Sequence, residues 1–434
     1  MAYPTISTPN NINININTND KTNVKLAKLN IDESELIPRL PNDIALECLL
    51  KVPITSHPKL KLVSHLWKTT LSHPSFFALR RHSSTADRLV FLTQPLSPAT
   101  KPKQLAQTSK DDDGQQQKSD LPIIYHINVY NAATREWRTL KNIDVVPTFS
   151  QCVSVPHSAK VVLLGGWDPA TLDPSPRVVV IDLAAGVWRE GAPMPTARSF
   201  FAAAAVDGGV YVVGGHDARK NALRTAEVYD VEADEWRKLP EMAEERDECH
   251  GIVLKDENNS VKFWVVSGYG TESQGRFRSD GEYYNPETNT WVKIENIWPY
   301  AGDSPKYTVV TGDSRWMSVI NGDVKEFDFE EKAWKTVNMG RIPKSVSGSS
   351  SISMVDVGGG RMMVMGNGER CGDGGCDGGG ECKEEGCGGE GVYMVEEKIR
   401  EEGDKKGEID WNWEHVHAPN NFLGFPFSSS HLLI

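Results

Sequence analysis

No run of 18 apolar residues occurs anywhere in this 434-residue chain, which argues against a membrane-crossing helix. Basic residues are in the minority. The 47 Lys and Arg against 59 Asp and Glu give a formal net charge of −12, so the basic patch that a phosphate backbone requires is lacking and nucleic acid is not an expected partner. The N-terminal tract is rich in Asn, Ile and Thr and has no apolar core of a secretory leader. The expected location is therefore the cytosol or nucleus, where disulfides are rare. Among the seven cysteines, Cys48, Cys152 and Cys249 stand singly in apolar or strand-like stretches and read as buried thiols. No HExxH motif and no nucleophile–base pairing appears. Past residue 121, helical periodicity is almost gone.

What is present is a polar, low-complexity stretch at 1–33, read as a disordered tail, then an apolar helical region at 36–82, then strands and turns from 88 to 434. Residues 95–120 and 367–391 read as flexible loop insertions, rich in Lys, Asp and Gln in the first and in Gly, Glu and Cys in the second. The strand region repeats. Tryptophans fall at Trp137, Trp188, Trp236, Trp291 and Trp334, and seven residues before each stands Tyr130, Ile181, Tyr229, Tyr284 or Phe327. Glycine pairs close two apolar strands at Gly166 and Gly215, and a degraded copy, Ser267-Gly268, closes a third. A spacing of about 50 residues is that of kelch repeats. Units of this size cannot bury their own faces, so they pack radially as blades of a β-propeller. Glycine is expected where φ is positive or a side chain would clash, and the Tyr and Trp positions are expected to fill the wedges between blades.

Five strand quartets are expected at 149–190, 199–240, 249–294, 307–337 and 350–415. A sixth, split blade takes strands from 88–94, 122–130 and 135–140 and its first strand from Phe427–Leu433, which removes an exposed edge. The fold class is thus mostly β: a six-bladed propeller, closed by a C-terminal strand, after a small all-α unit.

That unit opens with Leu40-Pro41-Asn42-Asp43-Ile44, a helix start in which Pro41 suits the first turn. It continues to Leu62-Val63-Ser64-His65-Leu66-Trp67. So many apolar residues in about 45 positions exceed what so small a unit can bury, which marks a partner surface. These residues resemble an F-box. The resemblance implies binding to the Skp-type adaptor, and through it to cullin, of a ubiquitin ligase, with Leu40, Pro41, Ile44, Leu49, Val63 and Trp67 as adaptor contacts. Farther on, Met194-Pro195-x-x-Arg198-Ser199-Phe200-Phe201 and Met242-Ala243-x-Glu245-Arg246-Asp247-Glu248-Cys249 resemble the plant F-box/kelch subfamily. Members of that subfamily mark phenylalanine ammonia-lyase, other phenylpropanoid enzymes or type-B cytokinin response regulators for degradation. The implied function is that of a non-catalytic substrate receptor, with no cofactor. The rival readings are a kelch interaction scaffold without ligase coupling and a kelch-fold oxidase, for which the histidines are too scattered.

Strand alternation puts the 2→3 and 4→1 connections of all blades on one propeller face. The chain from the helical unit arrives at Arg88 on the opposite face, so substrate loops and adaptor are expected on opposite sides. On the loop face, Trp167, Arg198, His216, Asp217, Arg246, Asp247 and Tyr269 are the expected substrate contacts, because arginine and aromatic side chains carry most interface energy. The spacing C-x4-C-x5-C-x4-C from Cys371 to Cys387 lacks the tight knuckle of a zinc site and reads as part of an acidic insertion.

Overall fold

The computed structural model describes residues 35–82, 85–95, 124–255, 260–347, 352–366, 391–399 and 409–434, apart from a few positions within these spans. The expected tail at 1–33, nearly all of the two loop insertions and the cysteines at 371–387 lie outside the described residues. The chain divides into two compact units, Met1–Ala86 and Asp87–Ile434.

The first unit holds α1 (Asn42–Leu50), α2 (His57–Leu60), α3 (His65–Ser72) and α4 (Pro74–His82), with a 3-10 turn at Ile54–Ser56. Pro41 sits just before α1 in an extended conformation rather than inside its first turn. Ser64 caps α3 by accepting from the Trp67 backbone N–H at 3.1 Å. Ala45, Leu46, Leu49, Leu50, Leu71, Phe76 and Phe77 form the interior. Arg80 is also fully buried. It donates to the carbonyls of Val52 and Thr85 and to His57 Nε2, so the guanidinium trades water for fixed acceptors.

The second unit is a ring of six four-stranded antiparallel sheets. Blade one is Gln151–Val155, Lys160–Leu164, Val178–Asp182 and Val187–Glu190, and blade two is Ala202–Val206, Gly209–Val213, Ala226–Asp230 and Glu235–Leu239. Blade three is His250–Lys255, Val261–Val266, Gly281–Asn285 and Thr290–Ile294. Blade four is Thr308–Thr311, Arg315–Ile320, Asp323–Asp328 and Ala333–Thr336, and blade five is Ile352–Asp356, Arg361–Gly366, Gly391–Ile399 and Ile409–His415. The closing blade joins Ser428–Leu433 to Arg88–Pro95, Tyr125–Asn131 and Glu136–Thr139. Each blade's first strand touches that of its neighbours, and the series returns on itself through the closing blade. The seam is fastened by paired backbone bonds between Asp87 and Ile434, at 2.7 and 2.9 Å.

The seven-residue interval has a direct cause. Tyr130 and Trp137, Ile181 and Trp188, Tyr229 and Trp236, Tyr284 and Trp291, and Phe327 and Trp334 face one another across the outer hairpin of their blade. The ring on strand three then packs against the preceding blade: Tyr229 lies among Val153, Val155, Val162 and Val180, and Tyr284 among Ala202, Val213 and Val228. Indole N–H groups tie the fourth strands to the incoming 4→1 segments, Trp236 to Ala192 O at 2.8 Å and Trp291 to Pro240 O at 2.8 Å. Trp413 does the same to Met339 O at 3.0 Å, although it faces Val395 rather than an aromatic seven residues earlier, which hides it from the repeat.

Gly166 and Gly215 have φ of +85° and +79°, and a Cβ on either would stand 2.4 Å from the carbonyl oxygen of Thr148 or Ser199. In the degraded copy, Ser267 adopts φ +57° despite its side chain.

Candidate functional site

On the helical unit, the adaptor-binding candidates separate into two groups. Pro41 and Ile44 on or beside α1 and Val63 ahead of α3 are exposed, Ile44 by 49% and Val63 by 61%. Leu62, which the motif reading passed over, is 86% exposed. Leu40 is half-buried. Leu49 corrects the expectation: it is only 2% exposed and belongs to the interior. Trp67 is partly buried and held inward, its indole N–H donating to Leu36 O at 2.6 Å. Its role is to anchor the segment ahead of α1, so that it shapes the surface formed by Pro41 and Ile44. Cys48 is exposed, against expectation, whereas Cys152 and Cys249 are buried, and burial pushes their thiols up to about 12 and about 11.

On the propeller, the residue after each glycine pair, Trp167, His216 or Tyr269, bridges back to Thr148, Ser199 or Asp247 in the 4→1 segment of its own blade. Arg198 and Arg246 stand one residue before Ser199 and Asp247 and are fully buried, which corrects their assignment as substrate contacts. Arg198 donates to Gly214 O, to Thr225 and to Glu227 Oε2 at 2.9 Å. Arg246 donates to Ser267 O at 2.8 Å, Asp280 Oδ1 at 2.8 Å and Glu282 Oε1 at 3.1 Å. Blade one has Pro147 and Val179 at the corresponding positions, so the arginine and its carboxylate are present or absent together. That is the behaviour of an internal strut. Burial would raise the Asp280 carboxyl, but Arg278, Arg246 and Lys293 outweigh it and hold the group well below the usual carboxylate range. The neighbouring Met194 and Met242 are buried too, so the Met-x-x-x-Arg pattern describes blade packing.

His216, Asp247 and Tyr269 are also largely covered, with 4, 5 and 9% exposure, and this corrects their reading as open contacts. His216 Nδ1 lies 2.9 Å from Asp247 Oδ1, and Lys220 Nζ reaches His216 Nε2 at 3.1 Å while standing 3.9 Å above the Trp167 ring. Burial lowers the Lys220 ammonium's pKa, offset in part by Asp247 and Asp173. Tyr269 donates to Glu248 Oε1 at 2.9 Å. Asp217 is half-buried and shapes its own loop, accepting from the Arg219 and Asn221 N–H groups at 2.8 and 2.9 Å. Of the expected contacts, Trp167 and Asp217 retain partial exposure.

Exposed groups among the described residues of this face include Leu172, 60% exposed at a loop tip with φ +60°, and Arg219 and Arg276. Nothing in the repeat singled them out, because loop tips carry no periodic signal.

At the centre of the ring is a cavity of about 470 Å³ lined by the first strands of all six blades. Phe200, Glu248, Lys306 and Phe427 line its loop-face end, and Phe149 holds the equivalent position in blade one. Phe149, Phe200, Glu248 and Lys306 each stand two residues before their blade's first strand, and Phe427 one residue before Ser428. Phe149, Phe200 and Glu248 have φ of +60°, +55° and +49°, an uncommon conformation for large side chains. Phe149, Phe200 and Phe427 contact one another with centroids 5.1 to 5.5 Å apart.

Residues 37–79 match the F-box domain and residues 197–243 the Kelch motif. The F-box/kelch-repeat protein At2g44130 of Arabidopsis thaliana is 39% identical over 92% of this chain and 96% of its own length. F-box/kelch-repeat protein SKIP20 of the same plant is 37% identical over 92% of this chain and 97% of its own. An F-box followed by kelch repeats is in general the build of a substrate adaptor of Skp–cullin–F-box ligases. With a six-bladed propeller, a short helical region at the F-box position and these relatives, the chain belongs to the plant F-box/kelch-repeat family.

Proposed function

We propose that this chain chooses the substrate of a Skp–cullin–F-box ubiquitin ligase and performs no chemistry of its own. Pro41, Ile44, Leu62 and Val63 dock on the Skp-type adaptor, which brings cullin. The propeller's loop face holds a protein for ubiquitination and proteasomal degradation. The observation that carries this reading is the contrast inside the helical unit: a fully buried Leu and Phe interior beside large apolar residues left 49 to 86% exposed. Such residues on so small a unit call for a partner.

The target class is that implied by the subfamily resemblance, a phenylpropanoid enzyme such as phenylalanine ammonia-lyase or a type-B cytokinin response regulator, met in the cytosol or nucleus. No helix among the described residues is long and apolar enough to cross a membrane. The test is affinity capture with the proteasome inhibited, using wild type and a chain lacking residues 36–82. Substrates are enriched by both chains and accumulate in cells expressing the deleted one, while the Skp-type adaptor and cullin appear with wild type alone. A wild-type chain that retains no Skp-type adaptor refutes the ligase assignment.

A further inference from the structure

Lys306 is the odd member of the channel mouth. Its Nζ stands 3.3 Å from the centroid of the Phe427 ring and 5.9 Å from that of Tyr307. No hydrogen bond or ion pair reaches this ammonium among the described residues. By area it is only half-buried, yet protein surrounds it closely enough that burial pushes it down to about 7, with Glu248 offsetting part of the effect. Glu248 is itself engaged by the Tyr269 hydroxyl. His250, the first residue of the adjacent inner strand, is lowered to about 4 by burial and by Lys306. An unpaired cation on an aromatic wall is held at a cost that an incoming anion would relieve.

We propose that the mouth receives the free C-terminus of the captured protein, its α-carboxylate on Lys306 and its last, apolar side chain on Phe200 and Phe427. This rests on the loop-face reading of the preceding section and names the chemistry that face recognises. A chain end fits better than an acidic internal segment for two reasons. The cavity is ringed by the first strands of all six blades, and residues leading into four of them line its loop-face end, which suits end-on insertion, whereas a continuous strand needs a groove open at both ends. Among the described residues its loop-face end also supplies one ammonium beside Glu248, with the Phe200 and Phe427 rings next to it, and so matches a single carboxylate next to an apolar side chain.

The probe is a fluorescein-labelled hexapeptide pool ending in Leu, Met or Phe, free of Asp and Glu, measured by anisotropy on the full chain. Two control pools carry a C-terminal amide, one without acidic residues and one with a single internal Asp. The free-acid pool is expected to bind about 10- to 100-fold more tightly than either amide, the range of one charged hydrogen bond. Its affinity should fall as pH rises from 7 to 9, as Lys306 loses its proton while His250, already neutral, does not change. Lys306→Met should abolish the preference; Lys306→Arg should keep it and remove the pH dependence. Bound peptide should also protect Lys306 from acetic anhydride, read by mass spectrometry. Equal binding of the acid and the neutral amide, tighter binding of the internal-Asp pool, an unchanged preference in Lys306→Met, or no binding by any pool overturns the proposal. Substrate capture from cells separates its failure from that of the loop-face reading. Capture lost in a Leu172→Asp/Arg219→Glu/Arg276→Glu chain but retained in Lys306→Met rejects the Lys306 site alone. Capture retained in both rejects the loop face.

Discussion

Replacing Arg246 by alanine discriminates between a substrate contact and an internal strut. The side chain is fully buried and serves Ser267, Asp280 and Glu282 at once. Its removal leaves Glu282, also fully buried, without its arginine. Asp280 retains Arg278 and Lys293. Breaking a buried pair from one side costs about 3–5 kcal/mol. In a unit of about 350 residues each kcal/mol lowers the melting temperature by roughly 1.4 °C, so a drop of about 4–7 °C is expected. Thermal melting by circular dichroism on the full chain reads this directly. The double change Arg246→Met/Glu282→Leu, which removes both charges, should recover most of the loss. The pH response carries a sign. The Asp280 carboxyl is held below its ordinary value in the folded chain, so its contribution is present above about pH 4, its unfolded pKa, and fades as pH falls through the folded one. The gap between wild type and variant should therefore narrow in strong acid. An Arg246→Ala chain that melts within about 1 °C of wild type at neutral pH would refute the strut argument, most sharply if it also lost substrate capture.

Lys306→Met should raise the melting temperature at pH 7. Wild-type stability should climb from pH 7 to about 10, because there the unfolded lysine keeps a proton that the folded one has lost, and the variant should lack that slope. Ile44→Asp combined with Val63→Asp should abolish co-purification of a Skp-type adaptor without shifting the melt, since both side chains face solvent. Leu49→Ala should instead destabilise the helical unit by about 2–5 kcal/mol, seen as faster proteolysis between residues 36 and 82. Gly215→Ala should depress propeller stability, since its Cβ would meet the Ser199 carbonyl at 2.4 Å with φ at +79°.

The blade pattern was readable because a period-two strand and a fixed hairpin length bring Tyr and Trp opposite each other every seven residues. Trp413 escaped because its partner across the hairpin is Val395 and the longer connection between their strands breaks that interval. Arginine was misread on chemistry it shares with interface anchors. The distinguishing signal was in the sequence: Arg198 has Glu227 and Arg246 has Glu282 at the same register position of strand three, while blade one replaces both partners by Pro147 and Val179. The channel mouth could not be found by residue type. Phe149, Phe200, Glu248 and Lys306 share a position, and the first three a positive φ, but no common side chain, so strand boundaries rather than residue type align them. In the F-box, the motif marked the segment that matches the domain, but which apolar residues turn inward depended on helix packing, so Leu49 lies inside and Leu62 outside.

The seam between Asp87 and Ile434 also sets an order of events during synthesis. The helical unit is complete soon after its own 50 or so residues leave the ribosome, whereas the receptor ring cannot close until the strand at Ser428–Leu433 has been made. A nascent or C-terminally clipped chain therefore possesses the means to join a ligase before it possesses a closed surface with which to choose a target. Loss of the last strand is therefore expected to act as a dominant fault, such a chain occupying adaptor molecules while delivering nothing to them.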